Sequence, residues 1–364
     1  MIKRRELVTA LGASAALAAC ARRETETPGA NRDTEQFQWK MVTTWPPNFP
    51  GLGTGASTLA RYLTEASGGR LQVQIYAAGE LIPAFEVFDA VSSGTAQLGH
   101  AGAYYWRGKS EAAQFFSTVP FGLNTHEMNA WLYYGGGMEL WQEVYAPFNL
   151  VPFAAGNSGV QMGGWFNRPI DSLADLRGLK MRLQGLGGEV LRRAGGTPVS
   201  LPGAELFTAL QTGSIDATEW VGPYNDLAFG LHQVARYYYY PGWHEPGPAM
   251  ECIVNKDAYE NLPADLRAAV RVACQAANLD MTAEYNARNA SALQQIRADD
   301  SVEIRAFPED VLEGLRTLTR EVVEDLVARD TLALKVWNSY RQFLGQSRAW
   351  QLISERAYMD TSAL

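Results

Sequence analysis

The sequence has little of the chemistry that thiolate or imidazole sites are built from. Only 3 cysteines and 4 histidines occur in 364 residues, and no Cys/His spacing matches a zinc site. Positive charge is also in short supply. Lys and Arg number 31 against 39 Asp and Glu, for a formal charge of −8, and no basic stripe appears; this argues against nucleic acid as a partner. No internal repeat or low-complexity segment is present. The apolar run that ends at Ala19 is too short to cross a bilayer. Beyond Cys20, only Cys252 and Cys274 remain, one on an apparent strand (M-E-C-I-V) and one on an apparent helix. In an exported protein they either pair or stay as buried thiols.

What is present first is an address. Lys3-Arg4-Arg5 precedes Leu7-Val8 and a small apolar run, the pattern of a signal peptide. The Arg4-Arg5 pair resembles a twin-arginine export signal, a pattern that Sec signals also tolerate. Leu17-Ala18-Ala19-Cys20 resembles a bacterial lipobox, in which the Cys sulfur carries the lipid that anchors the protein. Residues 1–20 are therefore read as leader. Residues 21–36 contain no large apolar side chain and read as a flexible tether. About 330 residues follow the tether, more than one ordinary core holds, so two lobes are expected. With 47% hydrophobic residues, the composition is globular.

Local patterning divides the rest. From 37 to 150 the chain alternates strand, helix, strand, helix, strand, with a helix stop at Gly68-Gly69. That order is the mark of a parallel α/β sheet with crossover helices. The pattern restarts at Val151, so a second α/β lobe is placed at 151–250. Residues 251–364 form a return segment and C-terminal helices, in which Ala264 to Ile296 reads as one helix long enough to span both lobes.

Between Asn157 and Glu245 the chain gathers parts suited to a carboxylate held against a cation. Arg182 lies in K-M-R-L, and its guanidinium fork matches a carboxylate in two charge-assisted bonds. Glu219 and Glu245 would repel that carboxylate unless a metal ion lies between them. Gln161, Glu219 and the Trp220 carbonyl offer the hard oxygens that Ca²⁺ or Na⁺ takes. A bridge between Glu219 and Arg182 themselves is the alternative, one that ligand would break. Asn157 can hydrogen-bond a 2-oxo or hydroxyl group. Tyr104, foremost of Tyr104-Tyr105-Trp106, is an aromatic wall candidate. Charge counting favours Ca²⁺ if Glu245 joins the first shell of ligands, and Na⁺ balances the site if it does not. Nothing in the set is an obvious nucleophile.

These residues carry a resemblance. The run from Pro169-Ile170-Asp171 through Lys180-Met181-Arg182 resembles the signature of the extracytoplasmic solute receptors of tripartite ATP-independent periplasmic (TRAP) transporters. The run Ala209 to Ala217 with Glu219-Trp220 is similar to that family's second landmark. G-N-S-G-V-Q, E-W-V-G-P and Y-Y-P-G-W-H-E-P resemble its 2-oxo acid and lactate branch. The resemblance implies a two-lobed α/β periplasmic clamp with a long inter-lobe helix and helical C-terminus. It also implies a small monocarboxylate ligand with Ca²⁺ or Na⁺, a membrane permease as partner, and no catalysis. Substrate contacts are then expected from Arg182, Asn157, Tyr104, Trp220 and Gln161, and metal contacts from Gln161, Glu219, Trp220 and Glu245. Members of this branch exchange C-terminal helices, which implies a homodimer; the apolar residues Leu315, Leu318, Val322, Leu326, Leu332, Trp337, Phe343 and Trp350 suit one. Two alternatives remain. One is a dicarboxylate receptor using Arg107 as a second cation. The other is a metal-dependent lyase or hydrolase on 2-oxo acids, with His244 as proton donor.

Overall fold

The first apolar alternations become Phe37–Thr43 (β1), Leu71–Tyr76 (β2) and Leu98–Gly102 (β3) in the computed structural model, which describes residues 35–362. The leader, the lipobox at Cys20 and all but the last two residues of the tether lie outside the described residues. Helices Leu52–Ala66 (α1) and Val87–Ser92 (α2) are the crossovers, and β1 pairs in parallel with both β2 and β3. Leu150–Asn157 (β4) follows. The chain then builds a second sheet from Gly164–Phe166 (β5), Lys180–Arg182 (β6), Thr197–Val199 (β7), Ala217–Thr218 (β8) and Tyr237–Tyr240 (β9). Ala249–Asn255 (β10) returns, and Glu303–Ala306 (β11) comes last. The strand orders are β2-β1-β3-β10-β4 and β11-β9-β5-β8-β6-β7.

The expected boundary at 151 does not separate the two sheets. β4 pairs antiparallel with β10 inside the first sheet, so the chain changes lobe between Asn157 and Gly164. The 250/251 boundary likewise cuts through β10, whose seven residues are all buried. β11 pairs in parallel with β9, which puts part of the expected return segment in the second sheet. Periodicity reveals that a strand exists but not which sheet supplies its partner.

Between these strands, Gly185–Arg193 (α3) and Pro223–Phe229 (α4) pack on the second sheet's strands, while Ala264–Arg297 (α5) runs for 34 residues. At 1.5 Å per residue α5 is about 50 Å long. It packs against α1 and β4 on one side and α4 on the other. Tyr285 on α5 shows how it spans the lobes: its hydroxyl donates to Asn225 Oδ1 at 2.7 Å, and Asn225 Nδ2 donates to the Pro50 carbonyl at 2.9 Å.

Helix Glu309–Arg329 (α6) lies on α3, and Thr331–Ile353 (α7) lies on the first lobe beside the 111–116 turn. Leu315, Val322 and Leu326 are buried there, with Leu318, Leu332, Trp337 and Phe343 packed against the same core. Most of the apolar run expected at a dimer contact is therefore used within the chain, and Trp350 remains 63% exposed. Cys252 and Cys274 are both buried free thiols. Burial, with Cys252 as hydrogen-bond partner, pushes the Cys274 thiol well above its usual range.

Candidate functional site

The parallel register of β6 and β8 sets Arg182 opposite Thr218, and the Glu219 N–H donates to the Arg182 carbonyl at 3.2 Å. Glu219 is thereby delivered beside Arg182. β8 stops at Thr218, and the next two residues turn towards Arg182. Arg182 is 1% exposed. Its Nη1 donates to the Glu219 carboxylate and, at 3.2 Å, to the Glu219 carbonyl. Its Nε donates to the Leu201 carbonyl at 3.4 Å and its Nη2 to the Tyr105 hydroxyl at 3.5 Å. The guanidinium also lies over the Trp220 ring, 5.0 Å from its centroid. Burial works against its charge, but Glu219 and then Tyr105 outweigh burial and hold the proton more tightly than usual.

Gln161 and Glu245 come from the two connections that cross between the lobes. The Gln161 N–H donates to the Glu245 carbonyl at 3.2 Å, and its Nε2 donates to Glu245 Oε2 at 2.8 Å. Gly242 makes this approach possible, since a Cβ there would stand 2.3 Å from the Gln161 carbonyl oxygen. Asn157 ends β4 fully buried, donating to the Gly247 carbonyl at 3.1 Å and accepting from the Gly159 N–H at 2.9 Å. In these contacts it braces the loop that carries Glu245. Gln161, Arg182, Glu219, Trp220 and Glu245 thus meet in one buried cluster.

Several polar atoms in that pocket have no hydrogen-bond partner among the described residues: Gln161 Oε1, Glu219 Oε2, the Trp220 indole nitrogen and both nitrogens of His244. Leaving buried polar atoms unpaired is costly, at about 1–3 kcal/mol each. Two of the five are hard oxygen atoms, the donor type that Ca²⁺ and Na⁺ take. Ligand atoms of Glu219, His244 and Glu245 lie within 4.8 Å of one another. Burial first, and then the neighbouring Glu219, push the Glu245 carboxyl well above the usual range. The donor set fits a bound cation.

Tyr104 and Tyr105 close the pocket from the first lobe. Gly185 on α3 faces Tyr104 at positive φ, +56°, and a Cβ there would stand 3.0 Å from the Tyr104 Cβ. Burial, followed by Glu245, raises the Tyr104 hydroxyl well above its usual range.

Residues 41–330 match the model of the bacterial extracellular solute-binding protein family 7. The chain belongs to this family. A family relative from Nostoc sp., described as a monocarboxylate 2-oxoacid-binding periplasmic protein, is 40% identical over 98% of both chains. A TRAP periplasmic solute-binding protein of Pseudoalteromonas atlantica, solved with bound sodium and pyruvate, is 42% identical with a TM-score of 0.88. The match covers 90% of this chain and 99% of that one. A third, from Colwellia psychrerythraea with bound calcium and pyruvate, is 43% identical with a TM-score of 0.87 over the same shares. Family 7 is one of solute-binding receptors that work in the periplasm, and the two-lobed α/β fold is theirs.

Within this family fold, two contacts were not singled out by the sequence. Tyr105, and not the favoured Tyr104, is the aromatic residue that hydrogen-bonds Arg182. His244 was weighed only as a proton donor, yet it is 1% exposed and stands beside both glutamates. Its adjacency to Glu245 was the available signal. His100 accepts from the Trp45 indole at 2.7 Å, and burial lowers its pKa to about 4.

Proposed function

We propose that this chain is the extracytoplasmic receptor of a TRAP transporter. It captures pyruvate, lactate or a similar small 2-oxo or 2-hydroxy monocarboxylate with Ca²⁺ or Na⁺ and delivers it to a membrane permease. The observation that carries the reading is the buried Arg182–Glu219 ion pair beside the unpartnered Gln161 Oε1 and Glu219 Oε2. Relatives above 40% identity, solved with pyruvate and sodium or calcium, support it.

Arg182 offers its fork to the ligand carboxylate, which replaces the Glu219 carboxylate as its partner. Glu219, Gln161, the Trp220 carbonyl and Glu245 would hold the cation. When bound, the cation supplies the positive charge that lets two glutamates and a third carboxylate share one pocket. Tyr104 and Trp220 wall the ligand, and Asn157 keeps the Glu245 loop in place with a second N–H available to the 2-oxo group. Because these residues come from both lobes and are buried, the lobes must part to admit ligand. The chain acts as a receptor and not as an enzyme.

The same proposal covers placement. A twin-arginine-like or Sec signal exports the chain, and Cys20 carries a lipid. Trp350, Leu352, Ile353, Tyr358 and Met359, all exposed on α7 and on the helix Glu355–Thr361, are apolar surface available to a second copy of this chain. Light scattering should give the mass of a dimer, and truncation after Arg348, which keeps the buried part of α7, should give a monomer. A monomeric full-length chain would remove the dimer from the reading.

One observation favours a second ligand class. Arg107 and Arg192 line a cavity of about 200 Å³ beside Tyr104 and Tyr105, where a distal carboxylate of a dicarboxylate would find a cation. A thermal-shift panel separates the two readings, since ligand bound to the native state alone raises the melting temperature. Pyruvate with Ca²⁺ should raise it, and chelator should abolish the rise. A response to dicarboxylates alone would overturn the monocarboxylate reading.

A further inference from the structure

Ca²⁺ and Na⁺ are hard ions that take oxygen donors. The pocket offers something those ions do not ask for. His244 is 1% exposed, and neither ring nitrogen has a hydrogen-bond partner among the described residues. Its Nε2 lies 3.4 Å from Glu219 Oε2, which is itself unpartnered. A neutral imidazole in such a position leaves a donor and an acceptor unpaired, at about 1–3 kcal/mol per group. Metal ligation removes that cost. Adjacent ligands of a tetrahedral ion, each about 2.1 Å from it, stand about 3.4 Å apart, which is the His244–Glu219 spacing. With Glu245, these residues supply one nitrogen and two carboxylates, all within 4.8 Å and all buried. In a tetrahedral shell every ligand pair stands about 3.4 Å apart, so the widest pair, within 4.8 Å here, closes by up to about 1.4 Å as the side chains turn onto the ion.

We infer that His244 is a further metal-ligating residue, and that through its ring nitrogen the pocket also takes a borderline divalent transition ion such as Zn²⁺ or Co²⁺. Imidazole with carboxylate suits such ions, and a 2-oxo acid can complete their coordination through its carboxylate and keto oxygens. Trp243 packs edge-on to the ring, with centroids 5.5 Å apart, and Gly187 leaves room for the His244 side chain, since a Cβ there would stand 3.0 Å from the His244 Cβ. The inference rests on the cation reading of this pocket, and it changes which ions that reading admits.

The test uses metal-stripped protein and the metals alone. Calorimetry should show one site for Zn²⁺, and Co²⁺ should give the intense visible bands of a four- or five-coordinate ion. His244→Gln, which keeps size and polarity, should lower Zn²⁺ affinity at least tenfold more than it lowers Ca²⁺ affinity, and should bleach the Co²⁺ bands. If that variant does not fold, wild-type protein loaded with Cu²⁺ should show hyperfine coupling to an imidazole nitrogen by electron paramagnetic resonance. Weak, octahedral-type Co²⁺ bands, no imidazole coupling, or equal losses of Zn²⁺ and Ca²⁺ in the variant would each overturn the inference. Pyruvate binding with Ca²⁺ that persists in that case leaves the receptor reading intact; its absence with every ion would overturn that reading instead.

Discussion

Arg182→Ala is expected to damage both the fold and the binding. In the ligand-free protein the guanidinium is buried and holds the Glu219 carboxylate, two backbone carbonyls and the Tyr105 hydroxyl. Its removal leaves Glu219 and Glu245 in a dry pocket with no opposing charge. Truncating one partner of a buried pair costs about 3–5 kcal/mol. At roughly 1.4 °C per kcal/mol for a folded chain of about 330 residues, melting should fall by about 4–7 °C. Glu219→Gln in the same chain removes the uncompensated charge and should restore a large part of that loss, while neither variant should bind pyruvate well. The loss in affinity expected for the single variant is about 2–5 kcal/mol, or some 30- to several-thousand-fold. Calorimetry measures the binding, and thermal unfolding of both variants measures the fold. Wild-type melting and wild-type pyruvate affinity in Arg182→Ala would refute the assignment of this pocket.

Two further outcomes follow from other parts of the molecule. Glu251 is fully buried, accepting from the Trp106 indole and from the Tyr145 hydroxyl at 2.8 Å, and burial pushes its pKa from 4.5 to about 7. A raised carboxyl contributes stability below its unfolded pKa that is lost as pH rises through the folded value, here between 4.5 and about 7. The shift corresponds to about 3 kcal/mol. Asp226, raised to about 7 by burial, acts with the same sign. Glu251→Gln should therefore flatten part of the fall in urea midpoint between pH 4.5 and 7.5, and an unchanged slope would contradict the assignment. Closure of the lobes should appear in small-angle scattering as a smaller radius of gyration on adding pyruvate and Ca²⁺. Identical curves would count against a clamp.

The site was legible where chemistry demanded rare residue types at fixed places. An Arg flanked by Met181 and Leu183 on a strand, and a Glu-Trp pair in D-A-T-E-W-V-G-P, identify themselves; the structure brings them together with Gln161 and Glu245. The long helix Ala264–Arg297 was equally plain, because few breakers interrupt it. What escaped were relations between distant segments. β4 and β10 choose each other across almost the whole second lobe, and local alternation carries no trace of that choice. β11 is only four residues long and half-buried, too weak a pattern to separate from a loop. Tyr104 and Tyr105 are neighbours of equal chemistry, and only the backbone turn at 103–106 decides which hydroxyl meets Arg182. The C-terminal apolar residues were visible, but whether they face the chain's own lobes or a partner depends on packing. The fold answers that for Leu315, Val322 and Leu326 and leaves Trp350 outside.

The central claim is that carboxylate and cation share one pocket through Glu219. Isothermal titration of pyruvate into metal-stripped protein, in sodium-free buffer and then with Ca²⁺ or Na⁺ restored, tests it most directly. The account predicts at least a tenfold gain in pyruvate affinity when the ion is restored. It also predicts the same factor in ion affinity when pyruvate is present, since coupling between two ligands is reciprocal. Equal pyruvate affinity with and without either ion would contradict it.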